Sequence, residues 1–435
     1  MLVFTGLGRP IVIVRVLFLT SAFPPLGYSG HDERCRQTLR ALAQRGGALI
    51  QLLTSDYRLP PMGMAGEQGF FRELRLHPEN TSGGAVLGQS FKATYAHELY
   101  NAGVLSDRLL RFRPDVVYVW NMHGLSKSLL FQIQAKGVPL VFDLHSDWLL
   151  PESFNQDPWY RWWLNNSSLR SRLYQGGSRL LGRARRILQA LPIDHSTALD
   201  IQGSYVVSEC LRNELVGAGL LQAGRLPVIY PGLDLGKIQP KTEFKLKKRF
   251  LWAGRLNEAK GPDLAVEAVG LLKARGIDVR LDLFGLGEPS ERKAKRARIE
   301  GLGLIDRVRM WGIRPGELAA HYAKYDAILY TNREAEPFSM TVLEAMLSRL
   351  PLIAARIGGN LELIEHERNA YLFEPGSAEA LADALVGFMD LPDRGKQMAC
   401  EGYESLRTRH SHLEVCASLE SILRKAQGAA LSIAS

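Results

Sequence analysis

The sequence predicts an α/β protein built as two doubly wound halves that face a central cleft. Three observations carry that expectation. Short apolar runs alternate with helical patterns along most of the chain, and the alternation pauses once. The pause is a polar stretch at 235–249 containing Lys237, Lys241, Lys245, Lys247 and Lys248. Alternation of this kind marks parallel sheets wrapped in helices. Two such units in succession place ligands at the carboxyl ends of their strands, in the crevice between them.

In the first half, residues 15–20, 49–54, 115–120, 139–145, 204–208 and 226–231 read as strands, with helical spacing at 32–44. The opening stretch 1–20 is apolar enough to resemble a signal peptide. However, its only charges, Arg9 and Arg15, come late and Pro10 interrupts it. The Ser21-Ala22-Phe23-Pro24-Pro25 that follows reads as a turn rather than a cleavage site. Residues 11–20 are therefore expected to form a buried first strand. After the linker, strands are expected at 250–253, 279–284, 308–311, 327–330 and 350–354, with helices at 262–275, 340–348 and 378–389. The division that results is a first domain over 1–235, a linker at 236–249, a second domain over 250–412 and a closing helix at 413–435 able to return to the first domain. A chain of 435 residues suits two domains at about 100 to 200 residues each.

The net charge of +9 admits three classes of partner: nucleic acid, anionic lipid or a phosphate-bearing substrate. The four cysteines, Cys35, Cys210, Cys400 and Cys416, lie far apart. They match neither a disulfide scaffold nor a zinc site, so a reducing cytoplasm is the expected setting. No apolar run of about 18 residues is present to cross a bilayer.

Three loops carry candidate chemistry. The first, Glu336-Pro337-Phe338-Ser339-Met340, follows a strand and opens a helix that contains Glu344. Backbone N–H groups at such a helix start favour an anion such as a diphosphate. Glu344, about one turn in, can accept hydrogen bonds from paired sugar hydroxyls, and Glu336 at the loop mouth can do the same for a second sugar. Two ordinary surface carboxylates are the plain alternative. The second loop holds Gly254-Arg255 and Lys260-Gly261-Pro262, again between strand and helix. An Arg fork and a Lys point charge suit a diphosphate there, and a solvated loop with two cations is the alternative. The third is the turn Gly358-Gly359-Asn360-Leu361-Glu362, which taken alone is unspecific.

In this order and at these intervals, the motifs resemble the retaining glycosyltransferases of family 4, which have the GT-B fold of two Rossmann-like domains. The resemblance also takes in Phe284-Gly285-x-Gly287, Trp311-Gly312, Arg113-Pro114-Asp115, the stretch from Gly137 to His145 and Val207-Ser208-Glu209. It covers nearly the whole chain apart from roughly 147–200. It implies a nucleotide-sugar donor held at its diphosphate by Arg255 and Lys260, with the amides of Phe338, Ser339 and Met340 alongside. It implies Glu344 on the ribose, Glu336 on the transferred sugar, His145 at the reacting centre, and Gly312, Ile313 and Arg314 around the base. Gly27 and Gly30 match the acceptor-side loop, where the family's adjacent glycine pair is replaced by Tyr28-Ser29-Gly30.

The implied activity is transfer with retention to a glycan or lipid-linked acceptor in cell-surface polysaccharide or glycoconjugate biosynthesis. No protein nucleophile and no cofactor are implied. No metal is expected either, because the chain has no Asp-x-Asp triplet and Arg255 and Lys260 already supply positive charge. A non-catalytic nucleotide- or polyanion-binding scaffold is the competing reading. Nucleic acid is not an expected partner, because no recognition module is present and basic clusters such as 292–298 run alongside Glu291 and Glu300, as on a solvated helix.

One segment stands apart. Between Asp157 and Asp194 no acidic residue occurs, while Arg161, Arg170, Arg172, Arg179, Arg183, Arg185 and Arg186 accumulate behind Trp159, Tyr160, Trp162 and Trp163. The insertion over about 148–200 reads either as a contact with an anionic membrane surface or lipid-linked acceptor, or as a helical insertion with buried Trp and solvated Arg.

Overall fold

Two six-stranded sheets, every strand pair in them parallel, stand at the centres of the two halves. The computed structural model describes residues 2–4, 10–24, 30–56, 69–77, 91–150, 152–153, 157, 159–160, 199–312 and 317–434. A short antiparallel hairpin, β1 (Leu2–Phe4) and β2 (Pro10–Val12), precedes the first sheet. The single strand expected over 11–20 is thus two. Pro10 has no N–H to give a central ladder and starts an edge strand of the hairpin, and the buried strand proper is β3 (Val14–Thr20).

From β3 the chain runs through α1 (Gly30–Gln44), β4 (Ala48–Ser55), β5 (Phe70–Leu74), α2 (Phe91–Phe112), β6 (Val116–Asn121), α3 (Ser128–Ala135) and β7 (Leu140–Leu144). It resumes with β8 (Tyr205–Val206) and α4 (Glu209–Gly217). The spatial order β5-β4-β3-β6-β7-β8 reverses direction between β3 and β6. Both central strands are continuous apolar runs because helices cover the sheet on both faces, and Val16, Leu17, Phe18, Val116 and Val117 have no exposure.

The second half repeats the plan. Its elements are β9 (Arg249–Ala253), α5 (Pro262–Ala274), β10 (Arg280–Phe284), α6 (Pro289–Gly301), β11 (Val308–Trp311), β12 (Ala327–Tyr330), α7 (Met340–Leu347), β13 (Leu352–Ala355), β14 (Tyr371–Phe373), α8 (Ala378–Asp390) and α9 (Pro392–Leu406). The order β11-β10-β9-β12-β13-β14 switches between β9 and β12. The loops leaving β9 and β12 are those that carry Arg255, Lys260 and Glu336, and a topological switch point is where an open α/β sheet receives its ligand.

The lysine-rich connection is less solvated than its composition suggests. Lys241 is buried and donates from Nζ to the carbonyls of Tyr325 (2.7 Å) and Ala323 (3.2 Å), while the amides of Lys247 and Arg249 bond the Asp326 carboxylate. The chain then crosses back to the first half. His410 Nδ1 meets the Pro231 carbonyl at 2.8 Å, while the Leu233 amide donates to the His410 carbonyl at 2.9 Å and the Leu233 carbonyl accepts from the His412 amide at 3.0 Å, so the two crossings support each other. The last helix, α10 (His412–Ala434), lies on α1, β3, β6 and β7, burying Cys416, Leu419 and Leu423. No described helix is long and apolar enough to cross a membrane.

Part of the aromatic start of the 148–200 insertion is core. Trp148, Trp159 and Tyr160 are buried, Trp148 against Phe142 and Tyr160 against Phe131. These rings are withheld from any membrane surface because they fill the space beside β7 and α3. Trp162, Trp163 and the arginines of the segment lie outside the described residues.

Leu423→Ala should lower stability by about 2 to 5 kcal/mol, the usual cost of emptying a buried leucine site, read as a fall in the urea midpoint. A loss under about 0.5 kcal/mol, the size of an ordinary surface change, would show that α10 does not dock on the first sheet.

Candidate active site

The loop after β9 is shaped by close backbone approach. Gly261 has φ of +63°, and a Cβ there would strike the Thr331 carbonyl oxygen at the start of the β12 loop. Thr331 fastens the contact: its hydroxyl lies 2.8 Å from the Gly261 carbonyl and accepts from the Trp252 indole at 2.9 Å. The two switch-point loops are thereby sewn together, and the Lys260 ammonium is delivered onto the Glu336 carboxylate. Tyr330 donates to the other Glu336 oxygen at 3.1 Å. Burial, with Arg255 adding repulsion, brings Lys260 down to about 8, while the Glu336 carboxylate against it favours the charged form. Arg255 is exposed and has no ion-pair partner among the described residues.

The Gly358-Gly359 turn forms the floor of the Glu336 loop. The Gly359 amide donates to the Glu336 carbonyl at 2.8 Å, a Cβ on Gly358 would lie 2.8 Å from Glu336 N and O, and one on Gly359 would strike the Pro337 carbonyl. Only glycine admits that approach, so this pair of residues sets where Glu336 stands. Asn360 adds a bond that the sequence reading did not foresee, with its Oδ1 accepting from the Ser339 amide at 3.0 Å. Ser339 was expected to lend that N–H to a phosphate. A buried side-chain oxygen already holds it, leaving the first turn of α7 as the source of free amides. Phe338 is buried, its ring 6.2 Å from both Tyr230 and His410, and it anchors the loop where the two halves meet.

Glu344 lies on α7, with Tyr322 donating to it at 3.2 Å. Burial lifts its carboxyl to about 7. The Tyr322 bond opposes the shift, and Glu33 on α1 across the cleft adds to it.

The first half contributes a buried network around Asp143. Arg34 reaches its two oxygens at 2.6 and 3.1 Å, Tyr205 donates to it, and His145 Nδ1 stands 2.7 Å from Oδ1. Burial alone would raise the Asp143 carboxyl, but Arg34 and His145 override it and hold the group ionised, well below the usual range. An ionised Asp143 can only accept, so the His145 ring presents its Nδ1–H to it. His31, at the start of α1, stacks on His145 with ring centroids 4.6 Å apart, and its carbonyl accepts from the Trp120 indole. Burial first, then His145 and Arg34, keep His31 neutral, and Lys260 across the cleft pushes the same way. Gly30 faces Met340, whose Cβ lies 3.8 Å from where a Gly30 Cβ would be.

The structure therefore brings Lys260, Glu336, Met340 and Glu344 of one half against Gly30, His31 and the neighbourhood of His145 in the other. Gly312 is exposed just after β11, beside Leu286. Gly27, Ile313 and Arg314 lie outside the described residues. Sequence reasoning missed His31, Arg34, Asp143, Tyr205 and Asn360. The one legible signal was an aspartate inside the apolar run 139–145, which requires a buried cation.

Two all-parallel sheets with their switch-point loops turned toward a common cleft define the GT-B fold, and comparison with known proteins places the chain among the glycosyltransferases. Residues 29–237 match the family described as Glycosyltransferase Family 4, and residues 236–405 match Glycosyl transferases group 1. The chain belongs to glycosyltransferase family 4. It is 26% identical over 313 residues to a D-inositol 3-phosphate glycosyltransferase of Pseudarthrobacter chlorophenolicus, covering 67% of each chain. It is 33% identical over 175 residues to the putative colanic acid biosynthesis glycosyltransferase WcaL of Escherichia coli, a match spanning 38% of this chain and 43% of that protein. Among solved structures it superposes on sucrose-phosphate synthase from Thermosynechococcus elongatus with a TM-score of 0.68 at 17% identity, covering 96% of this chain and 100% of that one. It also superposes on Anabaena HepE, solved in complex with UDP-glucose, with a TM-score of 0.64 at 20% identity, covering 94% and 99%.

The raised Glu344 carboxyl gives a pH test. Between about pH 4.3, the ordinary glutamate value, and about 7, the folded chain holds a proton that the unfolded chain has released. This group's contribution therefore falls as pH rises through that window. Glu344→Gln should be more stable than wild type at pH 8 and lose that advantage at pH 4, measured by urea unfolding at both. Equal differences at the two pH values would contradict the shift.

Proposed function

We propose that this enzyme is a retaining, metal-independent transferase that moves a sugar from a nucleotide-diphosphate sugar to a glycan or lipid-linked acceptor. The observation that carries the reading is the convergence of Lys260, Glu336 and Glu344 on the switch point of the second sheet, facing the Asp143-oriented His145 across the cleft. HepE, with the same fold, was solved with UDP-glucose, and WcaL is named for colanic acid biosynthesis, which supports the donor class and the setting.

In this reading Lys260 and Arg255, with the first amides of α7, neutralise the departing diphosphate. Glu344 accepts from the ribose hydroxyls and Glu336 from the transferred sugar. His145 Nε2 hydrogen-bonds a sugar hydroxyl, and a leaving phosphate oxygen takes the acceptor's proton on the same face. The protein's contribution is orientation and preorganised charge rather than a covalent intermediate. The arginine-rich 161–186 sequence favours an anionic acceptor at the cytoplasmic face of a membrane. Flotation with anionic liposomes tests that part, and absence of binding overturns it.

Lys260→Ala should lower kcat/KM for the donor by about a hundredfold or more, the typical loss on removing one such stabilising group. Wild-type activity should survive EDTA, and proton NMR of the product should show the donor's anomeric configuration kept. Inversion, or an activity restored only by a divalent metal, would refute the mechanism. Donor binding without turnover would instead favour a non-catalytic scaffold.

A further inference from the structure

One carboxylate bonds across the two halves three times. Glu362 ends the 3-10 turn Gly359–Glu362 of the second half, yet both its oxygens are spent on the first. Oε2 accepts from the Glu209 amide at 2.9 Å and from the Tyr230 hydroxyl at 2.7 Å, and Oε1 accepts from the Cys210 amide at 2.7 Å. These amides open α4, where a helix has N–H groups to satisfy and favours negative charge. The helix has its own cap, since Ser208 Oγ accepts from the Leu211 amide at 3.1 Å. Glu362 supplies what that cap leaves over, and it comes from the other half of the molecule.

Each end of this contact leads directly to a reacting group. On one side, the turn containing Glu362 begins with Gly358 and Gly359, which bear on the Glu336 and Pro337 backbone, and its Asn360 holds the Ser339 amide. On the other side, α4 follows β8 directly. Tyr205 of β8 donates to Asp143, and the Val207 amide donates to the Leu144 carbonyl at 3.1 Å, next to His145. A short, hydrogen-bonded path therefore runs from Glu336 through Gly359 and Glu362 to α4, then through Tyr205 and Asp143 to His145. No other described carboxylate receives bonds from both α4 and the linker-proximal Tyr230.

We infer that Glu362 is a positioning residue that holds the two halves of the active site in register, fixing Glu336 relative to His145. This rests on the proposed roles of those two residues, and the tether itself can be tested without them. Transfer rates are sensitive to misplacement of about 1 Å, on the order of a hundredfold, so the tether's effect belongs in turnover. Donor affinity is set largely by Lys260, Glu336 and Glu344, which share one half and stay together when Glu362 is lost.

The experiment uses the full chain with Glu362→Ala, Glu362→Gln and the milder Tyr230→Phe. Expected are a kcat at least about tenfold lower for Glu362→Ala, a smaller fall for Glu362→Gln and the smallest for Tyr230→Phe, with donor dissociation constants within about threefold of wild type. Amide hydrogen exchange at Glu209 and Cys210 should speed up in the same order, and this readout needs no turnover. Wild-type kcat in a folded Glu362→Ala protein, or unchanged exchange at those two amides, would overturn the inference. A purely structural role would lower the melting temperature while leaving kcat of the folded protein intact. If the wild type shows no transfer at all, the functional reading fails and the exchange data still decide the tether.

Discussion

A carboxylate with no solvent exposure at the end of an apolar strand must be neutralised where it stands, and the first half of this enzyme is organised around that demand. Asp143 on β7 draws Arg34 from α1, the hydroxyl of Tyr205 from β8 and the ring of His145 two residues on. Three separate pieces of the sheet's carboxyl edge are thereby held to one point. Because Arg34 and His31 share the first turns of α1, the demand also fixes where His31 stacks on His145. The second half is organised differently at its switch point. It sets its loops by close backbone packing at Gly261, Gly358 and Gly359, and places an ion pair, Lys260 with Glu336, on top.

The two halves thus follow different physical strategies. The first half is preorganised by a buried, charge-assisted network that moves only at large cost. The second half is preorganised by backbone contact, which leaves its charged side chains free to change partners. Lys260 and Glu336 can neutralise each other or can each turn to a charged or hydroxylated ligand. The net positive charge of the chain fits this picture only in part. Lys241 is spent on carbonyls under the linker and Arg34 on Asp143, so the cations that matter for chemistry are few and local.

The sequence exposed most of the strand runs because parallel strands buried on both faces leave unbroken apolar runs, but it did not show the edge strands β5 and β14, and over 226–231 only Val228 makes a bridge, to Val206. It also placed Lys260 and Glu336 in the loops after β9 and β12 and Glu344 on the helix that follows, since loops that open helices after strands carry a readable pattern. Contacts between distant segments were not legible. Nothing in residues 357–362 announced that Asn360 would take the Ser339 amide or that Glu362 would bond the other half. Those bonds depend on how the two domains meet, which no local pattern encodes. Trp159 and Tyr160 illustrate the converse limit: an aromatic, basic run suggests a surface, and the fold uses these rings as core.

The central claim is that Lys260, Glu336 and Glu344 form one donor site. A crystal structure of the enzyme with an intact nucleotide-sugar tests it most directly. The account predicts that Lys260 Nζ leaves Glu336 and lies within about 3 Å of a diphosphate oxygen. Glu344 should then accept from the ribose hydroxyls and Glu336 from the sugar. A nucleotide bound elsewhere, with the Lys260–Glu336 pair still closed, would contradict it.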